Sequence, residues 1–106
     1  PSLGVEFDER VNALARRQGI EGVLVLGVAP ASAAERAGLL PARMTRDGRP
    51  RPGDVVTQIG DMQVRTADDL MAALLAHTPG DEVTLRTRRD GEVRETTVRL
   101  DPPRQG

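Results

Sequence analysis

Leu3, Val5 and Phe7 alternate with small or polar residues at the start of the chain. This is the period-two pattern of a half-buried strand reached through a glycine-bearing loop. Asp8 is placed to cap a helix over residues 9–18 with Val11, Leu14 and Ala15 on one face, and Gly19 supplies its stop. The apolar run Val23-Leu24-Val25-Leu26-Gly27-Val28, closed by Pro30, predicts a strand buried on both faces. Ser32 and Glu35 have capping-box spacing, so a short helix is expected over residues 33–37, ending at Gly38, with Leu39 and Leu40 plugging the core below.

Residues 43–53, RMTRDGRPRPG, have no apolar period and read as an exposed loop. Asp54-Val55-Val56-Thr57-Gln58-Ile59 predicts a strand, and Gly60-Asp61 turns the chain into a second one, Met62-Gln63-Val64. Thr66 with Asp69 three residues on opens a helix over residues 67–77, stopped by Pro79-Gly80. Val83 to Thr87 alternates cleanly, Asp90-Gly91 is a two-residue hairpin signal, and residues 93–100 return. Residues 101–106 read as a linker-like tail. The expectation is one α+β domain: a small antiparallel barrel or sandwich of five to six strands with two to three helices between them.

Composition narrows what such a domain does. At 106 residues the chain has room for one core. Its fifteen basic residues, all Arg, face sixteen acidic ones for a net charge of −1, which argues against general nucleic-acid binding. There is no Cys, so no disulfide or thiolate metal site, and a single His, so nucleophilic chemistry would have to run through His77 alone. With one Phe and no Trp or Tyr there is no stacking platform for single strands. No metal or cofactor is expected, nor catalysis by this chain, nor membrane insertion, since the longest apolar run is far too short to span a bilayer. Pro1 in place of Met, with no charged-then-apolar leader after it, is what a domain excised from a longer chain presents.

Four stretches in order carry a family resemblance. Leu3-Gly4-Val5 sits where PDZ domains have a carboxylate-binding loop, and Pro30-Ala31-Ser32-Ala33-Ala34-Glu35-Arg36-Ala37-Gly38-Leu39 is similar to their "P-x-S-P-A-x-x-A-G-L" segment, with Ala33 for the usual Pro. Gly53-Asp54-Val55-Val56-Thr57-Gln58-Ile59-Gly60 is similar to their Gly-Asp strand, and Thr66-Ala67-Asp68-Asp69-Leu70 to the start of their groove helix, with Arg89-Asp90-Gly91 at the final hairpin. The ordered set resembles the PDZ domain of the HtrA/Deg (DegP-like) trypsin-like serine proteases, in the permuted bacterial strand order, over residues 1–100.

The resemblance implies binding by strand addition, with a peptide's C-terminal carboxylate in a nest of backbone N–H groups. Leu3, Gly4 and Val5 would supply those amides. Residues 5–7 would offer the unpaired edge. The pocket would be lined by Val5, Glu6, Phe7, Met71 and Leu75, with Asp68 at its mouth. Burying a terminal aliphatic side chain of about 100 Å² contributes roughly 2.5 kcal/mol, so binding is expected on the order of micromolar, to tails with an apolar last residue. Each assignment has a plainer reading beside it. Gly4 alone is an ordinary turn glycine, and Met71 and Leu75 alone are core. His77, with no evident carboxylate partner, reads as a surface or capping residue near a helix end. The Arg-rich stretch is a solvated insert or a contact for an anionic partner or a neighbouring protease domain. Asp68 and Asp69 point about 100° apart and suit a first helical turn rather than an acid/base dyad.

The function implied is a regulatory module that captures C-terminal tails of unfolded or signalling proteins for a serine endopeptidase in protein quality control. The resemblance places that protein in the periplasm or cell envelope. One alternative is a structural domain with an unused groove that packs on a protease domain or drives oligomerisation. Another is the PDZ domain of a different envelope protease or secretion component.

Overall fold

A computed structural model describes residues 1–103. In chain order its elements are β1 (Val5–Glu6), α1 (Glu9–Arg17), β2 (Val23–Leu24), β3 (Gly27–Val28), α2 (Ala33–Arg36), β4 (Arg43–Met44), β5 (Pro50–Arg51), β6 (Val55–Ile59), β7 (Met62–Gln63), α3 (Ala67–Leu75), β8 (Glu82–Arg89) and β9 (Glu92–Arg99). The last three residues of the expected tail lie outside the described residues. The fold is α+β as expected, with three helices among the described residues and every strand pair there antiparallel.

The main sheet runs β2-β6-β8-β9, with β7 also paired to β6. Its longest pair, β8 with β9, is in unbroken register from Glu82↔Arg99 to Arg89↔Glu92 around the turn at Asp90-Gly91. Both turn residues have positive φ, 51° and 79°, which is what a two-residue turn needs to match the strand twist. Alternation then sends Val83, Leu85 and Thr87 inward and leaves Thr84 and Arg88 outside.

The run from Val23 to Val28 is one apolar stretch but two strands. Val23 and Leu24 pair with Val56 and Val55, whereas Gly27 and Val28 pair with Glu6 and Val5. The chain changes partners at Val25 and Leu26, whose N–H groups donate to Asp54 and Glu6. Full burial holds for Val23, Leu24 and Val25 and fades beyond them. Residues 43–53 also depart from expectation. They fold back as the hairpin β4–β5 around Gly48 rather than as an open loop, although Met44 and the arginines are exposed.

Two cores flank the sheet. The larger gathers Leu3, Val23, Val25, Val56, Ile59, Leu70, Leu74, Leu85, Val98 and Leu100 beneath α2 and α3. The smaller joins Ala15 of α1 to Leu24 and Val55, with Val11, Ile20 and Leu26 at its edge. The apolar spacing chose the wrong facing residue in α1: Leu14 is 60% exposed, and Asn12 is buried in its stead. The Asn12 Oδ1 atom accepts the Leu24 N–H at 3.0 Å, so a polar bond to β2 sets the helix's rotation. Leu39 enters the core as expected, but Leu40 stays exposed because its N–H is held by the Asp54 carboxylate at 2.7 Å.

Candidate functional site

The segment from Ser2 to Phe7 is anchored at both ends. The Ser2 N–H and carbonyl bond to Asp101, while Val5 and Phe7 rest half-buried against the larger core. Between them the carbonyls of Leu3 and Gly4 accept the N–H groups of Ala34 and Ala29, both at 2.8 Å. The N–H groups of Leu3 and Gly4 have no hydrogen-bond partner among the described residues. Because Gly4 turns its carbonyl towards the β3 side, strand alternation turns the Val5 N–H to the opposite edge. β1 pairs with β3 alone, so that edge is open among the described residues. Three consecutive amides therefore stand beside a free strand edge.

Gly4 is required here for two reasons. Its φ is +89°, and an added Cβ would run into the Ser32 Cβ and stand 2.7 Å from its Oγ. The chain order explained the turn; the crowding by Ser32 comes from α2, whose N-cap is Ser32 itself, accepting the Glu35 N–H at 3.2 Å. Glu35 does not close the box. Its Oε1 takes the Ala31 N–H instead, at 3.0 Å. Asp101, expected to begin a tail, holds α2 from the other side by accepting from Ala33 N–H at 2.9 Å and from Arg36 Nη2 at 2.7 Å.

α3 forms as its caps dictate. Thr66 Oγ1 accepts the Asp69 N–H at 3.1 Å, and Asp69 Oδ2 accepts the N–H groups of Thr66 and Arg65. The helix closes at Ala76, so His77 lies beyond it rather than in its last turn. It has a carboxylate after all: Nδ1 is 3.6 Å from Asp81, whose carboxyl is held below its usual range chiefly by the N–H and hydroxyl of Thr78. Leu70, Ala73 and Leu74 face the core. Met71 and Leu75 do not, at 48% and 75% exposed, and Asp68 is also exposed. Glu6 lies outside the core, folded over Gly27 of the neighbouring strand. The structure thus brings Val5 and Phe7 to the same core as Leu70 and Leu74, and leaves Met71, Leu75, Asp68 and Glu6 at the surface.

Sequence reasoning missed Glu9. Its Oε1 accepts the N–H of Ala67, the first residue of α3, at 2.8 Å and the Asn12 Nδ2 at 3.2 Å, and its other oxygen pairs with Arg16. Arg16 also donates to the Arg65 carbonyl at 2.8 Å. The Ala67 N–H, then Arg16, hold the Glu9 carboxyl down at about 2. Two residues after Phe7, this clasp ties the far end of the edge strand to the start of α3 and sets their spacing. Asp54 is the other silent residue. Fully buried, it takes both Nε and Nη2 of Arg89, at 3.2 and 2.8 Å, together with the Leu40 N–H. Among the described residues no His, Cys, Asp and Glu cluster is arranged to hold a metal ion.

Residues 1–100 match the family described as PDZ domain. The chain is 35% identical over 104 residues to Protease Do-like 1, chloroplastic, of Arabidopsis thaliana, covering 96% of this chain and 23% of that protein. It is 34% identical over 79 residues to Serine protease Do-like HtrA of Lactococcus lactis, covering 74% of this chain and 17% of that one. Magnetosome formation protease MamE of Paramagnetospirillum magneticum is 30% identical over 103 residues, or 94% and 13% of the two chains. Among solved structures, HtrA-type protease AlgW with decapeptide superposes with a TM-score of 0.71 at 28% identity, over 97% of this chain and 30% of that one. The chain spans less than a quarter of the length of these curated relatives. The relatives' names include both chloroplast and bacterial proteins, so kinship by itself selects no compartment.

Proposed function

The chain belongs to the PDZ domain family, and from that premise we propose that it is a peptide-binding regulatory domain that captures C-terminal tails by strand addition. One observation carries this reading: among the described residues the N–H groups of Leu3 and Gly4 are without partners beside the open edge of β1. Amides turned outward in a glycine loop favour an anion, and a strand edge favours an extended chain. A terminal carboxylate followed back along its own peptide satisfies both at once. In this reading Val5, Phe7, Met71 and Leu75 bound the pocket for an apolar last side chain, while Glu6 and Asp68 stand at its rim. The kinship with Do-like and HtrA proteases supports a parent protein that is a serine protease, and the structure of AlgW with a decapeptide supports peptide binding; the role we assign that parent is protein quality control. Its own substrates would then be tethered, or its protease domain signalled to, through this groove.

Titration of the 106-residue chain with a free-acid peptide ending in Val, Leu or Phe, beside the same peptide as its C-terminal amide, tests the reading. The free acid is expected to bind on the order of micromolar, with the amide at least about tenfold weaker. Leu75→Glu is expected to weaken the free acid while leaving stability nearly unchanged, because Leu75 is on the surface. Equal affinity for acid and amide would overturn the carboxylate nest. If no member of a C-terminal peptide library binds while the isolated protease domain does, the domain is a structural one.

A further inference from the structure

One cleft lies away from β1. It is a space of about 610 Å³ on the outer face of the main sheet, where α1 covers only the β2 end. Its floor includes Thr57, Arg86, Arg88 and Val93, and its walls are the turn after α1 and the chain leaving β7, which carry Glu21 and Arg65. Three arginines, Arg65, Arg86 and Arg88, thus line one recess of a domain whose net charge is −1. Arg65 and Arg88 make no side-chain ion pair among the described residues. Arg86 Nη2 donates to Glu95 at 3.1 Å, and its Nε–H is buried with no partner among the described residues. Glu21 is the single carboxylate in the lining, and even with Glu95 offsetting Arg86 the recess keeps an excess of positive charge.

We propose that this cleft is a second binding site, separate from the peptide groove, that takes the carboxylate side chains of an acidic stretch of a partner polypeptide. The planar guanidinium groups of Arg88 and Arg65, which make no ion pair among the described residues, suit bidentate pairing with carboxylates, and the volume falls in the range of ligand-binding clefts. A peptide fits better than a nucleic acid, because no aromatic side chain lines the cleft to stack a base. The site stands on the outer sheet face and does not depend on the groove.

An acidic peptide acetylated at one end and amidated at the other has no terminal carboxylate for the amides at residues 3–5, which keeps the two sites apart in the test. Titrated into the ¹⁵N-labelled chain, it is expected to shift the amides of Thr57, Arg86 and Arg88 and to bind more weakly as salt is raised. Arg88→Gln, at an exposed position without an ion-pair partner among the described residues, and the double variant with Arg86→Gln are expected to weaken binding stepwise, to about tenfold or more in the double variant. A Gln-for-Glu copy of the peptide should not bind. Shifts confined to residues 3–7, equal binding of the Gln copy, or unchanged affinity in folded variants would overturn the site. Tighter binding of a single-stranded oligonucleotide at the same amides would reassign it to nucleic acid.

Discussion

Replacing Gly4 by alanine puts the loop's geometry to a quantitative test. The position holds φ at +89°, which costs an L-residue with a Cβ about 1–2 kcal/mol. The new Cβ also meets the Ser32 Cβ, and overlap of this kind in a packed region costs about 1–3 kcal/mol. The sum is about 2–5 kcal/mol. For a domain of this size that corresponds to a fall in Tm of at least about 8 °C. Urea unfolding followed by circular dichroism measures it. The two contributions separate through Ser32→Gly, which removes the obstructing Cβ while glycine keeps much of the N-cap preference. Ser32→Gly alone is destabilising, since the hydroxyl also donates to the Ala29 carbonyl at 2.7 Å. In the pair of variants the overlap is relieved, so a favourable coupling of about 1–3 kcal/mol is expected between the two positions. The backbone cost remains. A Gly4→Ala variant within about 0.5 kcal/mol of the parent, or two substitutions that simply add, would refute the crowding argument and leave Gly4 as an ordinary turn residue.

Glu9 makes stability depend on acid. Its carboxyl titrates near 2 in the folded chain against 4.5 ordinarily. A lowered folded value means stability present in full above the ordinary pKa and lost as pH falls through about 2. Tm should therefore drop across that interval, with a shallower drop in Glu9→Gln; Asp8 and Asp81, also held low, keep the slope from vanishing. Identical slopes would show that the clasp on α3 is absent in solution. Asp54→Ala strands the Arg89 guanidinium and frees the Leu40 N–H, so it should cost about 3–5 kcal/mol in urea unfolding. A loss below about 1 kcal/mol would show the pair to be hydrated rather than buried.

Elements bounded by local chemistry could be read directly from the chain. Asp8 and Thr66 cap the helices they were expected to cap, and Asp90-Gly91 turns the hairpin whose strands alternate as written. Helical spacing puts Met71 and Leu75 on a different side from Leu70 and Leu74, but which side is exposed was implied only by the family resemblance; the structure exposes the first pair and buries the second. What failed were judgements about partners. Val23 to Val28 has one hydropathy but two neighbours, and apolar character carries no record of which strand lies alongside. In α1, Leu14 out and Asn12 in reverse the usual preference, because a hydrogen bond to Leu24 outweighs an aliphatic contact.

The candidate site divides the same way. Its parts (a glycine loop, an alternating strand and a helix with a wide apolar face) follow from periodicity and turn chemistry within a few residues of each other. Their assembly does not. Ser32 crowding Gly4, Glu9 reaching Ala67 across 58 positions, and Asp54 meeting Arg89 across 35 all join distant segments. So does the gathering of Arg65, Arg86 and Arg88 around one cleft. Short-range spacing determines secondary structure because it acts through neighbours on the backbone. Charge and shape complementarity act only once the folded chain has brought those groups within a few ångströms.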